Sequence, residues 1–223
     1  MLYQILSGQM GLAQVVALLL ALVLGISVHE FSHAAAATWL GDTLPGRQGR
    51  LTLSPAAHLD VMGSLMFLIG GFGWGKPVQY NPYALRAGPR SGPAIVAVAG
   101  PISNLILAGI LAIPVRALLF FGRSTDLFDG MPAGVLATLL ALLELIVYYN
   151  LVLALFNLIP ILPLDGYTIL LGLLPPELAY RYEQTRQYGI LILFAVLFLG
   201  GNVLSLVLYQ PVNLFMRLLT GAR

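Results

Sequence analysis

Residues 12–40 read LAQVVALLLALVLGISVHEFSHAAAATWL, an apolar run that contains three ionisable side chains close together. A helix needs about 20 mostly apolar residues to cross a bilayer whose hydrocarbon core is about 30 Å thick. The run exceeds that length, no basic residue precedes it, and it outlasts the roughly 7–15 apolar residues of a signal-peptide core. It therefore predicts a first spanning helix that is retained in the protein.

Three further apolar blocks are long enough to cross, at Gly92–Phe121, Pro132–Phe156 and Tyr188–Tyr209. The intervening region 41–91 is rich in glycine and proline, and its apolar run Val61–Trp74 is too short to span. Such a run is typical of a re-entrant or interfacial segment. Two short pieces of this region are expected to be extended, namely Arg50–Leu53 and Lys76–Tyr80.

Composition places the whole chain in one class. Of its 223 residues, 59% are hydrophobic and 9% are charged, whereas a soluble domain carries about 25% charged residues. This excludes a soluble monomer and a disordered chain, and the 11 cations against 9 anions form no basic run that could bind nucleic acid. The sequence predicts an all-α polytopic membrane protein with about four to six transmembrane helices and a re-entrant or short β segment between the first two.

The cations predict an orientation in the bilayer, because short loops rich in Lys and Arg stay in the cytoplasm. Region 41–91 holds Arg47, Arg50, Lys76, Arg86 and Arg90, whereas region 122–131 holds one cation. We expect regions 41–91 and 157–187 to be cytoplasmic. The residues after Tyr209 are expected to form an interfacial tail.

His29-Glu30-Phe31-Ser32-His33 lies inside the first apolar run, where ionisable groups are costly. Positions four apart share one face of a helix, so both imidazoles can face a single ion. This H-E-x-x-H pattern is typical of a zinc site in which the glutamate is the general base. The alternative is a structural one, in which the histidines form hydrogen bonds within the bundle and Glu30 pairs with one of them.

A catalytic zinc site commonly has three protein ligands and one open position. The chain has no cysteine, so the third ligand must be His, Asp or Glu. Asp165 is the second-last residue of the broken segment 157–166, NLIPILPLDG, and irregular backbone at membrane depth is tolerated where it lines a cavity. We therefore predict Asp165 as the third ligand. Glu144, inside the third block, is expected to form a buried hydrogen bond or to be a protonated acid.

The remaining histidine and one further motif complete the candidates. His58 lies in a loop beside Asp60, which favours a structural hydrogen bond over a fourth ligand that would close the open position. Gly100-Pro101-Ile102-Ser103-Asn104 lies early in the second block, at the depth expected for His29, His33 and Asp165.

These motifs together resemble the site-2 protease family of intramembrane zinc proteases. The resemblance is carried by His29-Glu30-x-x-His33, by Gly100-Pro101-x-x-Asn104, and by Asn157-x-x-Pro160-x-x-Pro163-Leu164-Asp165-Gly166. Leu53–Asp60 and Gly73–Val78 resemble the short prokaryotic branch of that family. The similarity extends over about residues 12–174.

The resemblance implies a site and a reaction. His29, His33 and Asp165 would bind one zinc ion per chain, and Glu30 would activate water. Asn104 and Asn157 would hold the substrate backbone or the developing oxyanion. The implied activity is endopeptidase cleavage within or near a transmembrane helix of a membrane-protein substrate, as in regulated intramembrane proteolysis.

It also implies an organisation and a place in the cell. Residues 1–223 would form a single membrane-embedded metalloprotease domain with core 12–174, loop 41–91 and a C-terminal span and tail over 188–223. A prokaryotic cell membrane is expected, with the active site toward the cytoplasmic side. The sequence shows no PDZ or CBS domain, so any regulatory module would be a separate chain.

A different class of function stays open, that of a metal-transporting or metal-sensing membrane protein. In such a protein His29, His33 and Asp165 would form a transient site. Glu30 discriminates between the two classes, because a transport site has no need of a free carboxylate beside the metal.

Overall fold

A computed structural model describes residues 11–70, 73–121 and 133–221, and these are helical through most of their length. The helices are α1 (Leu12–Trp39), α2 (Leu44–Arg47), α3 (Pro55–His58), α4 (Val61–Gly70), α5 (Gly88–Phe121), α6 (Ala133–Asn157), α7 (Asp165–Leu173), α8 (Pro176–Glu183), α9 (Gly189–Leu199), α10 (Gly201–Leu204) and α11 (Gln210–Thr220). A π turn joins α10 to α11, so residues 201–220 form one continuous helical segment.

Among the residues that the structure describes, four helices are long and apolar enough to cross a membrane. They are Gln14–Trp39 in α1, Gly88–Phe120 in α5, Gly134–Asn157 in α6, and Gly201–Thr220. Large apolar side chains such as Ile106, Ile110 and Ile113 lie exposed along one face of α5, as expected of a helix solvated by lipid. The predicted all-α polytopic class is confirmed.

The fourth span lies later in the chain than the sequence predicts. The apolar block Tyr188–Tyr209 is interrupted, because α9 ends at Leu199 and a new helix begins after Gly200. Two adjacent glycines favour such a break, since glycine is a poor helix former. The expected interfacial tail instead continues the span, and Val212 is buried against α5 and α6. The candidate span Gly201–Thr220 thus begins and ends later than the predicted block Tyr188–Tyr209.

The region between α1 and α5 differs from the prediction in its β content. α4 covers most of the short apolar run and has 10 residues, about 15 Å of helix, so it is too short to cross. Neither predicted extended piece forms a strand, and within the described residues β pairing is limited to one antiparallel bridge between Leu59 and Gly75. Residues 76–80 form neither helix nor strand.

α5 is the central helix, because it packs against α1, α6 and α7. Its middle carries the small residues Ala108 and Ala112, both buried, which allow neighbouring helices to approach closely. They belong to a core cluster shared with Val147 and Leu151 of α6 and with Leu208 of the last span. This packing brings the second half of α1, the first half of α5 and the start of α7 together at one end of the bundle.

Candidate metal centre

Two imidazoles lie side by side on the buried face of α1. His29 and His33 are one helical turn apart, their ring centroids are 4.5 Å apart, and their planes are perpendicular. Both side chains are buried. The spacing that the sequence predicts therefore produces two rings that face the same space beside α5.

Each ring is held by its Nδ1 atom through a contact with α5. His33 Nδ1 lies 2.7 Å from the backbone carbonyl of Val96, and His29 Nδ1 lies 2.7 Å from Asn104 Oδ1. A carbonyl oxygen can only accept, so His33 Nδ1 must donate its hydrogen. In the neutral ring the Nε2 atom then carries a lone pair and is available as a ligand.

Asp165 completes a cluster of three. It is the first residue of α7, placed there by the non-helical segment 158–164 that follows α6. Its Oδ2 lies 3.0 Å from His29 Nε2, and its Oδ1 lies 3.3 Å from His33 Nε2. Burial raises the pKa of the Asp165 carboxyl, but if both imidazoles were protonated their charges and hydrogen bonds would outweigh burial and hold that pKa below its ordinary range.

The donor set fits a divalent metal ion. One potential ligand atom from each of the three residues lies within 4.8 Å of the others. With Nδ1 as the donor, a neutral imidazole presents a lone pair to a carboxylate oxygen, and two acceptors facing each other need a proton or a cation between them. Two nitrogens and one carboxylate oxygen match a three-ligand catalytic zinc site with one open position.

Gly100 of α5 makes room for both rings. A Cβ atom on Gly100 would lie 2.5 Å from His33 Nε2 and 2.6 Å from His29 Cε1. Any side chain at this position would therefore displace the imidazoles. This contact gives the Gly100-Pro101 motif a physical role, since it lets α5 approach α1 at the metal centre.

Glu30 lies beside the cluster on α1, next in sequence to His29. Its Oε2 is buried and has no hydrogen-bond partner among the residues that the structure describes. A Cβ on Gly75 would lie 3.2 Å from Glu30 Oε1, so the backbone at Gly75 covers this carboxylate. One carboxylate oxygen thus remains available for proton transfer at the centre.

Segment 73–77 is held over Glu30 by a residue that sequence reasoning assigned no role in the site. Arg50 is 5% exposed and donates to the carbonyls of Ala57, Lys76 and Pro77. Lys76 N also donates to His58 O at 2.7 Å. Nothing in the sequence distinguishes Arg50 from the other loop cations, because its partners are backbone carbonyls.

The other predicted site residues lie outside the cluster. Asn104 is fully buried, bonded to His29 and to the carbonyl of Gly25, so its amide does not face open space where a substrate could lie. The Asn157 amide donates to Leu153 O of its own helix. His58 is fully buried, with Nε2 2.6 Å from Thr52 O, which agrees with the structural reading. Glu144 is not among the clustered residues.

Residues 17–200 match the family model described as Peptidase family M50. The candidate zinc metalloprotease YwhC of Bacillus subtilis is 38% identical over 190 residues, which cover 84% of this chain and 83% of YwhC. No solved structure matches.

Two mycobacterial relatives are longer than this chain. The candidate zinc metalloprotease Rip2 of Mycolicibacterium smegmatis is 33% identical over 78% of this chain and 64% of its own length. Rip2 of Mycobacterium tuberculosis is 31% identical over 81% of this chain and 66% of its own length. The match covers most of the sequence and includes all three clustered residues, and the chain belongs to peptidase family M50, the site-2 protease family.

Proposed function

We propose that this chain is an intramembrane zinc endopeptidase in which His29, His33 and Asp165 hold the ion and Glu30 is the general base. The observation that carries the proposal is the meeting of these three side chains within a spanning bundle, next to a carboxylate with a free oxygen. The zinc metalloprotease names of the relatives support the choice of metal.

In the proposed reaction, different residues would transfer the proton, orient the ligands and exclude water. A bound zinc ion lowers the pKa of water toward neutrality and polarises a carbonyl. Glu30 would take the proton from the attacking water on Oε2 and deliver it to the leaving amine. Asn104 and Val96 hold the two imidazoles with Nε2 directed toward Asp165. Segment 73–77 covers Glu30 and would limit access of bulk water to it.

The substrate class follows from where the site lies. Both histidines and Glu30 are within the candidate span Gln14–Trp39, so a peptide bond must reach them at membrane depth. A transmembrane helix of another membrane protein meets this requirement once it unwinds locally. The cations of region 41–91 support an active site toward the cytoplasmic side, and the bacterial relatives support a prokaryotic cell membrane.

The decisive experiment compares the purified wild-type protein with Glu30→Gln. We expect both proteins to hold about one zinc ion per chain, since Glu30 is not a ligand. Only the wild type should cleave a panel of single-span substrates, with a loss on the order of 10²-fold or more in the variant.

Vesicles that carry each protein provide the control for the alternative class. If zinc-loaded wild type cleaves nothing while its vesicles accumulate metal, the protease assignment is wrong and metal transport replaces it. If neither purified protein holds zinc, the ligand assignment fails as well.

A further inference from the structure

We propose that Asn150 is a positioning residue that fixes the tautomer of His29 through Asn104. Asn150 lies on α6 and Asn104 on α5, and both side chains are fully buried. The inference rests on the proposed metal centre, because it concerns which nitrogen of His29 is available to the ion.

The directions of these hydrogen bonds follow from the backbone carbonyl of Ile146, which can only accept. Asn150 Nδ2 donates to Ile146 O at 2.9 Å. The Asn150 Oδ1 atom therefore faces Asn104 and accepts a hydrogen bond from its Nδ2 at 3.0 Å. The orientation of the Asn150 amide is set by a backbone carbonyl of its own helix.

The orientation of the Asn104 amide in turn determines which nitrogen of His29 carries the hydrogen. Asn104 Nδ2 uses its second hydrogen on Gly25 O at 3.0 Å. Its Oδ1 is left facing His29 Nδ1 at 2.7 Å and can only accept, so His29 Nδ1 must carry the hydrogen. Nε2 is then the unprotonated atom, and it points at Asp165.

If the Asn104 amide flipped, so that its oxygen and nitrogen exchanged places, His29 would favour its other tautomer. Its Nδ2 would face His29 Nδ1 and would favour hydrogen on Nε2, the atom that must bind the metal. Two acceptors oppose this rotation, Gly25 O and Asn150 Oδ1. Ordinary packing asparagines would satisfy their own hydrogen bonds without this directional dependence, whereas here each amide sets the orientation of the next.

We call the hydrogen-bonded chain Asn150–Asn104–His29 the relay. Helices α1 and α6 approach closely enough to form it because position 25 is glycine. A Cβ there would lie 2.5 Å from Leu153 Cδ1 and 3.2 Å from Asn150 Oδ1. α1 and α6 thus approach each other closely beside the hydrogen bond between Asn104 of α5 and Asn150 of α6. The relay links three of the four candidate spans to one metal ligand.

The test measures zinc affinity of the full-length protein by competition with a chelator. Asn150→Leu, which removes the acceptor, should weaken zinc binding about tenfold, within the range for residues that orient metal ligands. Asn150→Asp can accept from Asn104 and, when protonated, donate to Ile146 O, so it should stay within about twofold of wild type. Thr220→Val removes a buried hydroxyl in another part of the bundle and should leave zinc affinity unchanged.

Two outcomes separate this inference from the proposed function. Wild-type zinc affinity in Asn150→Leu, with only the unfolding temperature lowered, would mean that Asn150 is merely structural. Should that variant not fold, ¹⁵N NMR of the histidine side chains in zinc-loaded wild type remains decisive, and three histidines give a simple spectrum. His29 bound through Nδ1 would overturn the relay, while failure of the wild type to hold zinc would count against the metal centre itself.

Discussion

At the scale of single residues, the two histidines show how much of the centre follows from spacing and how much from packing. Their separation of four residues on a helix predicts a common face, and the structure has it. The identity of Asp165 as their neighbour also follows from broken backbone at the expected depth. The contacts of Nδ1 could not be predicted, because one goes to a backbone carbonyl and the other to Asn104, an amide that the family resemblance assigns to the substrate or the oxyanion.

Gly100 lies against both imidazoles of the metal centre. Gly100→Ala places a methyl group within 2.6 Å of both imidazoles, so the rings must move away from Asp165. We expect zinc affinity to fall at least tenfold, measured by chelator competition. Gly109→Ala, on the same helix, is the matched control, since a Cβ at that position would meet nothing within 4 Å. Equal zinc affinity in the two variants would show that the close approach at Gly100 does not matter.

At the scale of elements, the region between α1 and α5 shows the limit of sequence patterns. Its apolar run was correctly predicted as too short to cross, and its first part forms α4. The alternation of Arg50–Leu53 suggested a strand, but Arg50 turns inward to bind carbonyls of residues 57, 76 and 77. A period of two cannot distinguish a strand from a loop whose charged side chain is buried by distant backbone.

Arg50 should therefore stabilise this region more than any exposed loop cation. Hydrogen bonds from a charged group contribute about 1.5–3 kcal/mol each, and their loss would leave buried carbonyls without a donor. We expect Arg50→Met to lower the unfolding temperature clearly and to expose segment 73–77 to limited proteolysis. Arg47→Met, at an exposed position of the same loop, serves as the control. Equal protease resistance in both variants would contradict the holding role of Arg50.

At the scale of the whole molecule, composition alone predicted a helical membrane protein, and four candidate spans confirm it. The first three spans were predicted close to their observed bounds because each is a long uninterrupted block. The fourth was displaced, since hydropathy averages over Gly200 and Gly201 while the backbone breaks there. Hydropathy also cannot show that α5 packs against α1, α6 and α7.

The predicted orientation can be tested on the intact bundle by cysteine labelling, because the chain contains no cysteine. Gln48→Cys lies at an exposed position of region 41–91, and Ser124→Cys lies between α5 and α6 in sequence. With region 41–91 in the cytoplasm, an impermeant maleimide added to whole cells should label Ser124→Cys and should reach Gln48→Cys only after the cells are opened. The reverse pattern would place the active site on the outer side.

The position of Asp165 in the chain has a consequence for biosynthesis. It follows His29 and His33 only after α5 and α6 have been made, so the ribosome releases both histidines into the membrane long before their carboxylate partner exists. An incompletely synthesised chain carries a glutamate and two imidazoles but lacks a full ligand set. If the chain has the proposed function, metal binding and proteolysis would begin only after the third span has been inserted and α7 has packed against α5.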